Sequence, residues 1–169
     1  MSNDNLKILT ALQVEQKLQR IARELLENNY YNNEIVLIGI EKRGVRIAKR
    51  LEAILKEITT KQVTFLSLKI DKDNPLGKDV VLSNSFNKIT KQSVVLVDDV
   101  LNSGKTLIHA VAFLLQANIK QLSTVVLVDR RHRLFPVRAD FVGLTLSTTL
   151  KEHIAVNEIE DGKFEVFLN

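Results

Sequence analysis

Two adjacent carboxylates and the polar turn that follows them are the residues of this sequence best suited to chemistry. Asp98 and Asp99 come directly after the apolar run VVLV, and the turn NSGKT follows shortly after. A turn of small polar residues that opens a helix offers unpaired backbone N–H groups and the positive end of the helix dipole, which together bind phosphate. Carboxylates beside such a cradle suit sugar hydroxyls or hydrated Mg²⁺. The pattern therefore predicts a ligand with a phosphate at one end and a diol or metal ion beside it. The residues of the predicted cradle are Asn102, Ser103, Gly104, Lys105 and Thr106.

Two common phosphate-binding motifs do not fit this turn. Residues 104–106, GKT, match the end of the P-loop motif G-x-x-x-x-G-K-[ST], but that motif needs glycine at position 99, where this chain has Asp99. None of the six glycines completes the dinucleotide motif G-x-G-x-x-G. The remaining alternative is a solvated strand end followed by an ordinary helix cap.

The segment 94–106, VVLVDDVLNSGKT, resembles the phosphoribosyl pyrophosphate (PRPP) signature of the type I phosphoribosyltransferases. The resemblance implies that Asp98 and Asp99 hold the ribose hydroxyls. It also implies that residues 102–106 surround the 5′-phosphate.

The same family places a pyrophosphate loop after the first strand of its sheet, where this chain reads Lys42-Arg43-Gly44. A cation pair at a strand-to-helix turn can bind the departing pyrophosphate, and we expect Gly44 to permit an unusual backbone angle. Taken alone, these residues are better explained as a helix start with solvated charges. With the resemblance, Arg43 joins Asp98 and Asp99 as an expected catalytic residue.

The stretch 126–143, VLVDRRHRLFPVRADFVG, narrows the resemblance. It is similar to the pattern L-V-D-R-G-H-R-E-L-P-I-R-A-D-[FY]-[VI]-G of the PyrR family, bifunctional pyrimidine-operon attenuation regulators and uracil phosphoribosyltransferases. The likeness covers roughly residues 8 to 155. Within it, Arg131 stands in place of a glycine and Leu134 in place of a glutamate.

The implied reaction transfers the phosphoribosyl group of Mg²⁺-bound PRPP to a ring nitrogen of a nucleobase. We expect a hood over the base from Phe141, Val142 and the segment after them, with His132 as a further contact. Phe141 could equally be core, and His132 part of a surface basic patch. Purine enzymes of the superfamily usually carry an acid where Asn102 stands, and an amide cannot exchange the ring proton. Uracil is therefore the favoured base, and Mg²⁺ is expected to be carried by PRPP without direct protein ligands.

Three other functions stay open. The basic run 130–133 favours anion binding, as in an RNA-binding attenuation regulator that senses nucleotides through the same pocket. A purine phosphoribosyltransferase, for hypoxanthine or guanine, is the second. The third follows from the flexible loop, which the family begins with T-L-Y-R-D-D and this chain with SLKIDK at 67–72. Loops of this kind close over substrate and exclude water, so a relative that binds PRPP without efficient transfer is an alternative.

Apolar runs and helical stripes alternate along the chain and predict an α/β fold, a parallel sheet flanked by helices. Thr10 and Gln13 form a possible capping box for the first helix. The tail carries Asp161-Gly162 between two strand-like runs, a hairpin signal, and the resemblance implies a small hood from the C-terminal and N-terminal segments. The expected strands are 34–40, 63–70, 93–97, 122–128 and 139–144, the later helices are 44–58 and 104–118, and a long polar loop covers 71–92, with a short hairpin around 80–82.

Composition sets outer limits. The 169 residues suit a single domain, 1–169, and 45% hydrophobic with 26% charged residues is ordinary for a globular protein. The chain has no cysteine, which excludes disulfides and thiolate chemistry. No apolar run is long enough for a membrane span and no secretory signal is visible, so we expect a cytoplasmic location. The net charge of +4 favours anionic partners, and the resemblance implies a homodimer or larger homo-oligomer.

Overall fold

The computed structural model describes residues 5–76, 79–149 and 151–169. Helices and strands alternate through most of the chain, and a C-terminal hairpin pairs with a strand near the N-terminus. The helices are α1 (Ala11–Asn28), α2 (Arg43–Ile58) and α3 (Lys105–Leu114). The strands are β1 (Leu6–Leu9), β2 (Glu34–Ile40), β3 (Gln62–Lys69), β4 (Val81–Leu82), β5 (Ser93–Leu101), β6 (Gln121–Asp129), β7 (Phe141–Thr145), β8 (Ile154–Glu160) and β9 (Lys163–Leu168).

A six-stranded sheet, in the order β4-β3-β2-β5-β6-β7, forms the centre of the fold. Its long strands are all parallel, and the two-residue β4 pairs antiparallel with β3. Apolar residues fill β2 and the first part of β5, and both strands are buried along almost their whole length. Burial of both faces is typical of a parallel sheet covered by helices. The predicted α/β fold is confirmed.

The helices divide the core into two halves. Leu18 of α1 and Leu51 of α2 belong to a buried cluster that includes Leu37 of β2. Leu107 of α3 belongs to a second cluster, which includes Ile38 of β2. Successive residues of a strand point to opposite faces, so α1 and α2 cover one side of the sheet and α3 the other. Within the described residues, no helix combines the length and the apolar character needed to cross a membrane.

Side-chain hydrogen bonds fix the start and the middle of α1. The predicted capping box is present, since Thr10 Oγ1 accepts from the Gln13 N–H at 3.3 Å and the Gln13 side chain accepts from the Thr10 N–H at 2.9 Å. Farther along, the Arg20 guanidinium donates to the carbonyl oxygens of Val142 at 2.7 Å and Gly143 at 3.2 Å. Arg20 thereby covers backbone acceptors of the edge strand β7.

A second sheet, β1-β9-β8, is antiparallel and joins the two ends of the chain. The turn at Gly162, with φ of 74°, connects β8 to β9 and confirms the predicted hairpin. Leu9 of β1 and Val166 of β9 are buried in the cluster beside α1. The expected hood from both termini is therefore present. Strand β1 itself was not predicted, because its four residues are too few to show a period.

Two predicted boundaries are wrong. Strand β5 continues to Leu101, so Asp98 and Asp99 lie within the strand and not after it, and pairing with β6 extends to the same residue. Helix α3 ends at Leu114 and not at Asn118. It ends there because the N–H groups of residues 116 and 117 bond to carbonyls three residues back, which tightens and turns the chain.

Candidate functional site

A cavity of about 790 Å³ opens at the carboxyl ends of β2, β3 and β5, the edge where open parallel sheets bind ligands. The predicted phosphate cradle, the two carboxylates and the two cations after β2 meet there. Of the residues predicted to bind PRPP, those on the cavity wall are Lys42, Arg43, Asp98, Asp99, Asn102, Ser103, Gly104, Lys105 and Thr106. The fold thus brings together side chains that lie far apart in the sequence.

Asp98 and Asp99, here called the acidic pair, are each only 4% exposed. Asp98 Oδ1 accepts a hydrogen bond from the Asp99 N–H at 2.9 Å. Lys72 Nζ lies 3.0 Å from Asp98 Oδ1 and 3.7 Å from Asp99 Oδ1. The half-exposed guanidinium of Arg43 lies 3.8 Å from Asp99 Oδ2. The pair is therefore neutralised by two cations from different segments.

The pKa values of Asp98 and Lys72 are both raised, but for different reasons. Burial is the main reason that the pKa of Asp98 is raised from 3.8 to about 7; Lys72 opposes the shift and Asp99 adds to it. Burial lowers the pKa of Lys72, but the two carboxylates outweigh it, so the pKa lies above its ordinary value of 10.5. At neutral pH Lys72 is a cation, whereas Asp98 is close to its titration midpoint.

Lys72 is the functional residue that sequence reasoning missed. It lies in the segment SLKIDK, where the resemblance pointed only to the loss of a tyrosine and an arginine. No spacing links it to the acidic pair, which is 26 residues farther along the chain. The available signal was indirect, since two neighbouring buried carboxylates require a cation.

The turn 102–106 has the form predicted from its sequence. Gly104 lies at the N-terminus of α3 with φ of 85°, and a Cβ there would approach Val137 Cγ1 to 2.6 Å. Ser103 Oγ accepts from the Lys105 N–H at 3.2 Å, while Lys105 Nζ donates to the Asp73 carbonyl at 3.0 Å. The first N–H groups of α3 therefore face the cavity mouth beside a glycine that no other residue replaces without strain.

Gly44 has a different role from the one expected. It lies in the first turn of α2, with helical backbone, so the predicted unusual backbone angle is wrong. A Cβ at this position would come within 2.6 Å of the Val97 carbonyl oxygen and 3.0 Å of Asp98 Cα. Glycine is needed because α2 starts in contact with the strand that carries the acidic pair. The peptide bond between Glu41 and Lys42, just before the start of α2, is cis.

The residues expected to bind the base are not among the described residues that line the cavity. Phe141 and Val142 pack against the two halves of the core. The His132 ring contacts the Thr148 carbonyl oxygen through Nε2. Two residues of the segment after Phe141-Val142, His153 and Ile154, do line the cavity, and because the base is expected there this part of the lining is called the base-side wall. The base-binding role of the three residues stays a prediction.

Arg130 contacts two separate segments. Its Nη1 donates to Asn102 Oδ1 at 3.0 Å, and its Nε donates to Thr148 Oγ1 at 3.0 Å. Its Nη2 donates to the carbonyl oxygens of Thr149 at 3.2 Å and Glu152 at 2.7 Å. The half-buried guanidinium is therefore engaged by the turn at Asn102 and by residues 148, 149 and 152, and is not part of a uniform basic surface.

Two other residues of the basic run 130–133, Arg131 and Arg133, contact the carboxylate of Asp129. This buried carboxylate accepts from the Arg131 N–H at 2.9 Å and pairs with Arg133. Arg131 is exposed and has φ of 58°, a left-handed conformation that favours glycine. Glycine is the residue that the resembling family pattern has at this position.

Comparison with known proteins shows which family and fold this chain resembles. A family model described as "Phosphoribosyl transferase domain" matches residues 4–159. The bifunctional protein PyrR of Macrococcus caseolyticus is 34% identical, over 95% of this chain and 97% of that protein. PyrR of Clostridium acetobutylicum is 36% identical, over 89% of each chain. A solved structure of a hypoxanthine-guanine phosphoribosyltransferase from Bacillus anthracis superposes with a TM-score of 0.74 over 99% of each chain at 18% identity, which shows a shared fold.

Proposed function

The chain belongs to the phosphoribosyl transferase domain family, together with the bifunctional PyrR proteins, and on that basis we propose that it makes UMP from uracil and Mg²⁺-bound PRPP. The observation that carries the proposal is the continuity of β5 and α3. The acidic pair, the Gly104 turn and the open N-terminus of α3 form one continuous wall of the cavity. That wall offers carboxylates for a diol and, next to them, N–H donors for a phosphate.

Each part of PRPP has a matching part of the wall. Residues 102–106 and the first N–H groups of α3 take the 5′-phosphate. The acidic pair takes the ribose hydroxyls, which requires Lys72 to give up its place beside Asp98. Lys42 and Arg43 take the pyrophosphate, because both line the cavity at the start of α2.

The donor set fits a Mg²⁺ ion that arrives with the substrate. Among the described residues, no three His, Cys, Asp or Glu side chains lie close enough together to hold a metal ion. Mg²⁺ keeps several of its waters and is held largely by substrate phosphates, so the carboxylates of the acidic pair on the cavity wall would face the hydrated ion without ligating it directly. When bound, the ion offsets the negative charge of the pyrophosphate.

The reaction exchanges two bonds at C1 of the ribose. The bond to the pyrophosphate oxygen breaks, the bond to a uracil ring nitrogen forms, and the proton of that nitrogen leaves with the released pyrophosphate or passes to water. Positive charge develops on the ribose in the transition state, and the carboxylates of the acidic pair stabilise it. Lys42 and Arg43 stabilise the negative charge that develops on the leaving pyrophosphate. No covalent nucleophile is required.

Uracil is proposed over a purine because of Asn102. Its side chain lies on the cavity wall, where an acid would be needed to exchange a proton with a purine ring nitrogen. An amide cannot do so.

Pyrophosphate release from PRPP and Mg²⁺ tests the proposal, with uracil, hypoxanthine, guanine, xanthine and orotate offered in parallel. We expect release with uracil, and its loss in Asp98→Asn and Asp99→Asn. Release with a purine alone would overturn the choice of base but leave the phosphate site intact. Binding of PRPP without release for any base would overturn the enzyme proposal in favour of a nucleotide sensor.

RNA binding is the second candidate function, favoured by the exposed Arg131 and by the bifunctional relatives. A basic surface contacts the phosphate backbone first. Arg131→Ala should weaken RNA binding in a filter-binding assay and leave UMP binding unchanged. Equal RNA affinity of the variant and the parent protein would remove this surface from consideration.

A homo-oligomer and a cytoplasmic location also stay proposals, both on the likeness to the PyrR proteins. Light scattering coupled to size exclusion measures the first, and cell fractionation the second.

A further inference from the structure

We propose that Arg130 is a positioning residue of the transfer site, one that holds the phosphate-binding turn and the base-side wall in a fixed relation. The inference rests on the proposed function, because it assigns a role within the same cavity. The guanidinium lies between Asn102, in the turn 102–106, and the backbone at Thr149 and Glu152. The chain enters the base-side wall directly after Glu152, at His153 and Ile154.

The contact with Asn102 fixes which end of that amide faces the ligand. A guanidinium has only donors, so the group it binds at 3.0 Å must be the amide oxygen. The NH₂ group of Asn102 then points away from Arg130. Because Asn102 is exposed and lines the cavity, that NH₂ group is left to donate to the ligand. A free asparagine could turn either end inward, and Arg130 removes that choice.

The contacts with the base-side segment fix its position relative to the same amide. Three donors of one rigid planar group reach Thr148 Oγ1 and the carbonyl oxygens of Thr149 and Glu152. A lysine places its donors on a single nitrogen atom and cannot reproduce a fork that spans two segments. Arg130 therefore holds the base-side wall at a fixed distance and orientation relative to the phosphate-binding turn.

The phosphate end has supports that do not involve this side chain. Ser103 accepts backbone hydrogen bonds from Leu134 at 2.9 Å and Phe135 at 3.1 Å, and Ile108 donates to the Gly104 carbonyl at 2.9 Å. Loss of the guanidinium should therefore leave phosphate binding nearly intact and weaken the part of binding that depends on the base. A purely structural role would lower the melting temperature and weaken both parts together.

Isothermal titration calorimetry separates these outcomes with two probes. Ribose 5-phosphate reports the phosphate end, and a nucleoside monophosphate adds the base; UMP and IMP are both titrated, and the one the parent protein binds more tightly is used. In Arg130→Met we expect nucleotide affinity to fall about tenfold or more, as for loss of charged hydrogen bonds, with ribose 5-phosphate affinity changed less than about threefold. Arg130→Lys should restore only part of the nucleotide affinity. Arg138→Met, which removes an exposed arginine nearby, serves as the matched control and should match the parent protein.

Equal losses for the two probes in Arg130→Met would overturn the inference, and so would full restoration by lysine. Failure of the proposed function shows elsewhere, in the parent protein. If the parent binds neither nucleotide more tightly than ribose 5-phosphate, the base site itself is refuted and the inference falls with it. If it prefers IMP, only the choice of uracil is refuted, and the Arg130 comparison proceeds with IMP.

Discussion

Lys72 determines what the acidic pair can accept. Its ammonium group lies 3.0 Å from Asp98, in the place proposed for the ribose hydroxyls. Removal of this cation leaves the buried carboxylates uncompensated, and the usual response is proton uptake by one of them. The charge of the site before PRPP arrives is therefore set by Lys72 and by the protonation of Asp98.

PRPP binding should strengthen as the pH rises through about 7, where Asp98 loses its proton. The ionised carboxylate can accept a hydrogen bond from each ribose hydroxyl with its two oxygens. In the protonated form one oxygen carries the proton and is a donor, so only one strong acceptor remains. Calorimetric titration with PRPP on both sides of this pH measures the effect. Asp98→Asn does not titrate, so its pH dependence should contain only the part that comes from PRPP itself.

Variants of Lys72 provide the control for this assignment. Because Lys72 lowers the pKa of Asp98, its replacement in Lys72→Met should move the midpoint of PRPP binding above 7. Lys72→Arg keeps a cation and should leave the midpoint near its original value. An unmoved midpoint in Lys72→Met would mean that another group titrates.

Arg131→Gly should increase the free energy of unfolding by up to about 1 kcal/mol, because φ of 58° strains every residue except glycine. Chemical denaturation measures the gain, and Arg131→Ala keeps the strain and should show none. A similar gain in the alanine variant would trace the effect to loss of the guanidinium and not to the backbone.

At the scale of elements, the sequence correctly predicts those helices, strands and caps whose stabilising contacts join residues close together in the chain. Strand β2 matches its predicted bounds because an unbroken apolar run forms a buried strand, and the Thr10–Gln13 capping box involves residues three apart. The form of the turn at Gly104 was predictable because a phosphate-binding turn restricts the residue types. The assignment of residues to PRPP rests on those same restrictions and stays a prediction.

Contacts across the fold could not be predicted in the same way. The ion pair of Lys72 with Asp98 and the bonds from Arg130 to Thr149 and Glu152 depend on the path of segments without a period. The end of α3 was also misplaced, because apolar residues continue beyond Leu114 into a turn. Hydrophobic spacing does not distinguish a helix from the turn that follows it.

Gly104→Ala tests how closely the start of α3 is fitted to its surroundings. We expect it to lower the free energy of unfolding by about 1 to 2 kcal/mol, since the left-handed backbone disfavours a Cβ. The contact with Val137 Cγ1 at 2.6 Å should add to this cost and weaken PRPP binding. Thermal denaturation and calorimetry report the two effects.

Val137→Ala in the Gly104→Ala background separates the causes. Removal of the valine methyl groups relieves the contact and leaves the backbone strain, so PRPP affinity should recover in part. No recovery would show that the strain alone accounts for the loss.

For the molecule as a whole, the antiparallel sheet ties the first strand to the last. Leu9 of β1 is only 5% exposed and belongs to the core beside α1, whereas Leu6 on the same strand is 60% exposed. Leu9→Ala should lower the free energy of unfolding by about 2 to 3 kcal/mol. Urea denaturation measures this, and Leu6→Ala should stay within about 0.5 kcal/mol of the parent protein. Equal values for the two variants would mean that β1 is not part of the cooperative fold.

Arg20 also limits how one copy of the protein can join another. The outer strand of an open sheet is a template to which a foreign strand can add, and this is how native proteins begin to form fibres. On one margin of the central sheet, the Arg20 guanidinium already holds the Val142 and Gly143 carbonyls; on the other, the strand β4 is only two residues long. In the part of the chain that the structure describes, neither margin of the central sheet therefore offers a long row of free backbone groups to the strand of a neighbouring molecule.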